Sequence, residues 1–242
     1  MVRVSWIIPL LFLAADVSSQ QNFASISFGT SIPLAEYSEL GDLSANGYAS
    51  PGGTIKFDAG YFPVSYFGIG GAFSFGSNYA VRDSMLNDMI RYMEENATSS
   101  LDIPGNADIR YGSGFWNYIS LFLGPHFSVR PTQRIYLYVR ALAGVTVIRP
   151  PDQELNISFD QTEITSRMSD NRLALGLTAG TGMRFRLNPA IALKLGVDYF
   201  QGRSRFDYDF DLSTDPEEEI PSLESDFQIR TLELTAGLAY SF

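Results

Sequence analysis

Residues 231–242 read TLELTAGLAYSF, and the two faces of this stretch differ along its whole length. Apolar side chains occupy positions 232, 234, 236, 238, 240 and 242, whereas small or polar residues occupy most of the positions between them. A period of two places the first set on one side of a β-strand and the second set on the other. The stretch therefore predicts a strand with one apolar face and one small or polar face.

The same alternation recurs through most of the chain. It is present in seven further stretches, at 23–32, 54–61, 67–76, 118–127, 135–147, 173–185 and 191–199. The stretch at 118–127 is less regular, because the large side chains of Tyr118 and Phe122 share a face with Ser120 and Gly124. Eight alternating stretches predict an all-β protein.

The connections between these stretches alternate in length. Short turns are predicted at 62–66, 130–134 and 186–190, and long connections at 33–53, 77–114, 149–171 and 201–228. Transmembrane β-barrels have short periplasmic turns and longer extracellular loops, whereas a soluble sandwich does not require this rhythm. The pattern predicts an eight-stranded antiparallel up-and-down transmembrane β-barrel with long extracellular loops.

The first residues have the order of a secretory signal peptide. A charged start at Arg3 precedes an apolar run at 6–15 and then small polar residues. The run is shorter than the roughly 20 apolar residues of a membrane-anchoring helix. We expect residues 1–19 to be cleaved and residues 20–242 to form one barrel domain. The chain has no cysteine, which excludes disulfides and thiolate metal sites.

Seven charged residues fall on faces that the alternation predicts to point inward. They are Lys56, Asp58, Arg140, Arg184, Lys194, Asp198 and Glu233. An eight-stranded barrel has an interior just wide enough for side chains to fill. Because buried charges need partners, the pattern predicts a charge network that closes the lumen.

Aromatic residues cluster near the predicted strand ends, as they do in interfacial girdles. The predicted periplasmic girdle contains Tyr61, Phe62, Tyr66, Phe67, Phe185, Tyr240 and Phe242. Trp116 and Tyr199 are predicted to lie in the outer girdle.

The second long connection contains a helical pattern over 79–96. Its apolar positions are Val81, Met85, Leu86, Met89, Ile90 and Met93. This spacing predicts a short amphipathic helix. We expect it to pack over the barrel mouth, since long loops need local order. The alternative is a helix that binds a partner or a membrane surface.

The fourth long connection is strongly acidic, and part of it matches the ligand offsets of a calcium-binding EF-hand loop. The calcium candidates are Asp207, Asp209, Asp211, Asp215 and Glu218. Leu212 stands where such a loop needs glycine, and no helical pattern flanks the segment. Alternation with Tyr208 and Phe210 equally describes a strand that continues above the membrane. Acidic runs are usually solvated surfaces, and we favour that interpretation.

The opening strand at 23–33, the glycine-rich strand at 67–76 and the alternating series at 234–242 resemble the outer-membrane β-barrel superfamily of OmpX and OmpA transmembrane-domain type. The resemblance implies an outer-membrane location and contact with membrane lipid and lipopolysaccharide. It also implies assembly by the barrel assembly machinery with periplasmic chaperones. In that family the machinery reads the last outward residues, which correspond to Leu238, Tyr240 and Phe242.

Candidate chemistry is sparse. His126 is the only histidine, and no nucleophile, base and orienting residue are seen to converge with it. The sequence indicates no cofactor and no nucleic-acid partner. We therefore expect a non-enzymatic protein with a structural or surface-interaction role in adhesion or envelope integrity, with an unidentified extracellular partner. The alternatives are a narrow channel, a lipid-modifying barrel enzyme and a soluble ligand-binding barrel.

Overall fold

The computed structural model describes residues 22–97, 103–104, 107–112, 114–151, 154–159, 162–168, 171–212 and 220–242. The predicted signal peptide at 1–19 lies outside them. The strands are β1 Phe23–Pro33, β2 Ala49–Tyr61, β3 Phe67–Ala80, β4 Asp108–Tyr111, β5 Phe115–Val129, β6 Ile135–Arg149, β7 Glu154–Phe159, β8 Thr162–Met168, β9 Arg172–Arg186, β10 Ile191–Leu212 and β11 Leu223–Ser241. A 3-10 helix spans Ala35–Tyr37, and helix α1 spans Arg82–Asn96.

Eight of these strands close into a ring. Their order is β1-β2-β3-β5-β6-β9-β10-β11, and β11 pairs with β1 to complete it. Every neighbouring pair in the ring is antiparallel. The predicted eight-stranded up-and-down barrel is confirmed. The short turns lie at one end of the barrel, called the turn end here, and the long connections lie at the loop end.

The outer surface of the ring is apolar and the interior is polar or aromatic. On β5, Leu121 and Leu123 are exposed, whereas Ser120 and Phe122 between them are buried. A protein that folds in water buries its apolar face, so the reversed arrangement suits a hydrocarbon surrounding. The irregular stretch at 118–127 follows the same rule, because Tyr118 and Phe122 point inward as their parity predicts.

No helix in the described part of the chain is both long enough and apolar enough to cross a membrane.

Two strands extend well beyond their predicted ends. β10 continues to Leu212 and β11 begins at Leu223, so most of the predicted loop at 201–228 is a β-hairpin. The alternation of apolar and polar residues predicts a strand end where the outward residues become polar. The hydrogen bonds between the backbones of β10 and β11 do not require apolar outward side chains, and the pairing continues to Tyr208–Leu223.

Three short strands that the sequence did not indicate widen this hairpin into a sheet. β8 pairs with the upper part of β10, β7 pairs with β8, and β4 pairs with β7. Inward side chains of these strands, among them Leu155, Ile157 and Ile164, are buried in one core with the α1 residues Met85 and Met89. The loop end is therefore a folded cap. The predicted helix is confirmed, and so is its packing over the mouth.

The girdle prediction is correct for Tyr61, Tyr66 and Tyr240, which are exposed near the turn end. It is wrong for Trp116 and Phe62, which are buried. Trp116 shares the inward parity of Tyr118 on β5, so its indole points into the barrel.

Phe62 follows β2 in a short turn, and its ring packs beneath the lumen. Its backbone N–H donates to Oδ1 of Asn22 at 2.8 Å, and its ring centroid lies 6.5 Å from that of Phe23. The turn therefore folds under the barrel and places the ring inside, away from the interface.

Candidate functional site: a filled lumen beneath a helical cap

Six inward charged residues meet in the middle of the barrel, and all six are buried. They are Lys56, Asp58, Arg140, Lys194, Asp198 and Glu233. Asp198 accepts hydrogen bonds from Nε of Arg140 at 3.0 Å, from Nη2 of Arg140 at 2.8 Å and from Nζ of Lys56 at 2.8 Å. Asp58 pairs with Arg140 and Lys194, and Glu233 pairs with Lys56. With three cations and three anions, the network is neutral.

Hydroxyl groups add further hydrogen bonds to these charges. The Tyr118 hydroxyl donates to Oε1 of Glu233 at 3.0 Å and lies 2.8 Å from Oγ of Ser31. Nζ of Lys194 donates to Oγ of Ser25 at 3.2 Å. Buried charges are tolerated when they are both paired and hydrogen-bonded, as they are here.

Arg184 is the seventh predicted member, and the structure places it nearer the turn end, against aromatic rings. Its guanidinium carbon lies 4.0 Å from the ring centroid of Phe23 and 5.1 Å from that of Tyr136. The face of an aromatic ring attracts a cation. The alternation along β9 predicts that Arg184 points into the barrel. It does not predict which rings on other strands contact the guanidinium.

His126 and its aromatic neighbours close the turn end. The imidazole packs edge-on against Phe23 and Phe62, with centroid distances of 5.5 and 5.2 Å. A Cβ at Gly70 would lie 2.8 Å from Nδ1 of His126, so only glycine leaves room for this ring. The structure shows a buried packing residue.

Aromatic rings fill the lumen above the charge network. Tyr118 stacks on Phe200 at 5.2 Å with an interplanar angle of 14°. Higher still, Trp116 packs against Phe206 and Phe227, each with a centroid distance of 5.3 Å. The indole Nε1 donates to the carbonyl oxygen of Gly47 at 2.7 Å, which ties the first long connection to the interior.

Helix α1 closes the loop end. Met85, Met89 and Met93 are fully buried. The Tyr48 hydroxyl donates to Oδ2 of Asp88 at 2.5 Å. Burial, with a further contribution from the Asp88 carboxylate, raises the pKa of Tyr48 well above its usual value, so the hydroxyl keeps its proton and remains a donor.

Three of the five calcium candidates lie on the outward face of β10. Asp207, Asp209 and Asp211 alternate along a strand, which spaces them about 7 Å apart and in line. An EF-hand loop instead folds its ligands around one ion, so the strand alternative holds for this part of the segment. Asp215 and Glu218 lie outside the described residues.

The acidic hairpin is braced by arginines. Asp226 accepts from Nε and Nη2 of Arg203 at 3.0 and 2.8 Å, and from Nη2 of Arg205 at 3.3 Å. These hydrogen bonds hold the pKa of the Asp226 carboxyl below its usual value. Nη2 of Arg172 lies 2.9 Å from Oδ2 of Asp207. Ion pairs with arginines therefore order the outward carboxylates of Asp207 and Asp226 on the hairpin.

A closed ring of eight antiparallel strands with an apolar outside and a filled, charged inside defines the class of small transmembrane β-barrels. No family model and no curated protein sequence matches the chain. The solved structure of the outer membrane protein OprG from Pseudomonas aeruginosa is similar, with a TM-score of 0.52 and 11% identity over 92% of this chain and 97% of that one.

Two further solved structures also cover most of the chain. Neisserial surface protein A has a TM-score of 0.45 and 12% identity, with 91% of this chain and 97% of that chain covered. The outer membrane protease OmpT from Escherichia coli has a TM-score of 0.43 and 10% identity, with 92% and 97% covered. At 11% identity, the similarity to OprG establishes the fold alone. The chain has the fold of the outer-membrane β-barrel proteins.

Proposed function

We propose that this protein is an integral outer-membrane protein whose barrel neither conducts nor catalyses. In this proposal the barrel holds an ordered acidic surface outside the cell for a structural or surface-interaction role, in adhesion or envelope integrity. The observation that carries the proposal is the filled lumen. Buried side chains occupy it from Phe23 and His126 at the turn end, through the charge network, to Met89 in the cap.

The charge network opposes the passage of ions through the barrel. A permeating ion would have to separate pairs such as Arg140 and Asp198 inside the barrel. Breaking a buried pair leaves an uncompensated charge and costs about 3–5 kcal/mol. The network therefore favours a closed barrel over the narrow-channel alternative.

The position of His126 argues against the enzyme alternative. His126 lies where β5 approaches its short turn, whereas the carboxylates of Asp209 and Asp211 lie at the loop end of β10. The only histidine of the chain is thus at the opposite end of the barrel from the acidic hairpin. It cannot serve as a base for groups on that surface.

The exposed surface at the loop end supports a surface-interaction role. The chain has a formal net charge of −10, and Asp209, Asp211 and Glu224 are exposed on the hairpin. A surface of one sign attracts partners of the opposite sign over long distances. The partner that fits this surface is basic, and the attraction weakens as salt increases.

Planar-bilayer recordings test whether the lumen is closed. The refolded chain is expected to give no stepwise currents, because buried ion pairs and aromatic rings occupy the barrel interior. A known channel-forming barrel reconstituted in the same way serves as the positive control. A reproducible unit conductance for the native chain would contradict the proposal and favour the channel alternative.

Fractionation of the cell envelope, together with heat-modifiable migration in detergent gels, tests whether the protein is a folded barrel in the outer membrane.

We further propose that Leu238, Tyr240 and Phe242 are read by the barrel assembly machinery. All three side chains are exposed on the outward face that β11 presents beside β1. The rings of Tyr240 and Phe242 stack at a centroid distance of 6.3 Å. They form one continuous apolar edge at the seam where the ring closes.

Phe242→Ala is expected to slow assembly several-fold in proteoliposomes that contain the purified machinery, with the folded fraction measured by heat-modifiable migration. Phe127→Ala is the matched control, because Phe127 is an exposed outward aromatic residue on β5, near the same end of the barrel. Equal folding rates for the two variants would show that Phe242 acts only as a lipid-facing side chain.

A further inference from the structure

A cleft opens in the cap between the first long connection and helix α1. It encloses about 190 Å³. Residues 41–44 line it from the first long connection, Asp88, Tyr92 and Glu95 line it from α1, and Leu223 lines it from the start of β11. Three segments that are distant in the sequence thus meet at one concave site. This site is called the cap cleft here.

Part of the cap cleft is apolar and firmly packed. Leu43 is buried, and Leu223 packs against the core of the cap. The ring of Tyr92 stacks on Phe210 at a centroid distance of 5.5 Å, and its hydroxyl donates to the carbonyl oxygen of Pro221 at 3.2 Å. These contacts fix two leucine side chains and an aromatic ring, against which an alkyl chain can pack.

Carboxylates line the rest of the cap cleft, and two of them are held in place. Oδ1 of Asp42 accepts from the backbone N–H of Ser44 at 2.9 Å and from its Oγ at 2.6 Å. Oδ1 of Asp88 lies 2.7 Å from Nη2 of Arg91. In the described part of the chain, neither Asp42 nor Glu95 forms an ion pair. Two carboxylates of the cleft can therefore bind a further cation.

One guanidinium of the chain itself already lies at the cap cleft. Besides pairing with Asp88, Nη2 of Arg91 donates to the carbonyl oxygen of Gly41 at 3.2 Å. The guanidinium thus connects α1 to the first long connection. Its contacts show that oxygen atoms from both segments are spaced to hold such a group. Arg91 neutralises Asp88, which leaves Asp42 and Glu95 for a second basic group.

The charge balance around the cap cleft is negative. Arg91 is the one basic residue, against eight acidic residues, on the segments that form or border the cleft, at 34–48, 88–95 and 223–226. Arg203 and Arg205 approach from β10, but they pair with carboxylates that are already counted. Counting these two and Arg230 as well still leaves four negative charges in excess. The surroundings of the cleft therefore attract cations.

An exposed apolar side chain lies next to the cap cleft in the sequence. Leu40 is 47% exposed, and it directly precedes Gly41. The side-chain amide of Asn46 donates to the carbonyl oxygen of Leu40 at 3.0 Å. Gly41 has a φ of 94°, a left-handed conformation that favours glycine. The first long connection is thus held in a shape that presents a leucine beside an acidic cleft.

We propose that the cap cleft receives a lysine or arginine side chain of a basic protein partner. The alkyl stem packs against Leu43, Leu223 and the ring of Tyr92. The charged end reaches Asp42 and Glu95. Long basic side chains bury their stems along apolar surface in this way and keep the charged end exposed. An apolar residue of the partner beside the basic one contacts the exposed leucine. The inference rests on the proposed surface-interaction role and names the site at which the partner binds.

The test is the binding of a fluorescently labelled hexa-arginine peptide to the purified full chain in uncharged detergent micelles, measured by anisotropy. Glu95→Gln is expected to weaken binding about fivefold, because an ion pair at a protein surface contributes up to about 1 kcal/mol. Glu94→Gln is the matched control. It removes the same charge from the neighbouring position of α1, but Glu94 does not line the cleft. Its affinity is expected to stay close to that of the native chain.

Ser44→Leu tests the space in the cap cleft without a change of charge. The larger side chain fills part of the cleft, so a several-fold loss of affinity is expected. Ser38→Leu is its control, because Ser38 lies on the same connection but does not line the cleft. Heat-modifiable migration confirms that each variant is folded before its affinity is measured.

Three results would overturn the inference: equal losses in Glu95→Gln and Glu94→Gln, unchanged affinity in Ser44→Leu, or equally tight binding of an uncharged hexa-citrulline peptide. Displacement of the peptide by calcium, beyond that caused by sodium at the same ionic strength, would indicate a metal site instead. If the peptide binds and the two glutamate variants lose affinity equally, the cleft is refuted but the acidic surface still attracts a basic partner. A native chain that does not bind the peptide would contradict the proposed basic partner as well.

Discussion

Asp198→Ala is expected to destabilise the barrel by about 3–5 kcal/mol, because it leaves two buried cations without their shared partner. Asp198 accepts two hydrogen bonds from Arg140 and one from Lys56, and all three side chains are buried. Arg140 retains Asp58, and Lys56 retains Glu233, but the network then carries one excess positive charge. Urea unfolding in lipid vesicles measures the change as a shift of the midpoint.

Asp209→Ala is the matched control for this substitution. Asp209 is an aspartate on the same strand, but it is exposed on the outward face at the loop end. Surface substitutions of this kind change stability by about 0.5 kcal/mol or less. If both variants unfold within about 1 kcal/mol of the native chain, the network does not stabilise the fold.

Trp116→Ala is expected to lower the free energy of unfolding by about 3–5 kcal/mol, the usual range for removing a large buried aromatic side chain. The indole is fully buried, packs against Phe206 and Phe227, and donates a hydrogen bond to Gly47. Its loss leaves a cavity beneath the cap and a carbonyl without its donor. The cap is expected to loosen before the barrel, which limited proteolysis of the folded protein detects.

Phe115→Ala separates the effect of burial from the loss of an aromatic ring on β5. Phe115 precedes Trp116 in the same strand, but it points outward and is exposed. Trp116→Phe isolates the hydrogen bond, since it keeps a ring and removes the indole donor. Equal losses of stability in Trp116→Ala and Phe115→Ala would show that the buried Trp116 ring stabilises the fold no more than an exposed ring on the same strand.

The barrel wall could be predicted from the sequence because its signal is local. Alternation of Leu121 and Leu123 with Ser120 and Phe122 sets the two faces of β5 without knowledge of any other strand. The same parity placed seven charged residues on inward faces, and six of them meet in the middle of the barrel. Their meeting follows from geometry, since the lumen of eight strands is too narrow to keep them apart.

The cap and the exact partners could not be predicted, because they depend on contacts between distant segments. Beyond Tyr199 the outward residues of β10 become polar, and the hydropathy pattern stops although the backbone pairing continues. Arg184 has the parity of the charge network, but its neighbours Phe23 and Tyr136 are determined by the packing of other strands. The residue type of Trp116 predicts a girdle position, whereas its parity predicts the interior position that the structure shows.

The charge network also bears on the order in which the barrel is built. Its members come from β2, β6, β10 and β11, and the pairs join residues 58, 82 and 142 positions apart. A sheet that lacks β10 contains Arg140 and Lys56 without Asp198, and hydrocarbon would not tolerate the excess charge. An incomplete sheet must therefore keep these charges in contact with water until β10 and β11 are added. On this reasoning the barrel inserts into the membrane in one step, after β10 and β11 have joined the sheet. The unpaired charge of an incomplete barrel keeps it out of the hydrocarbon.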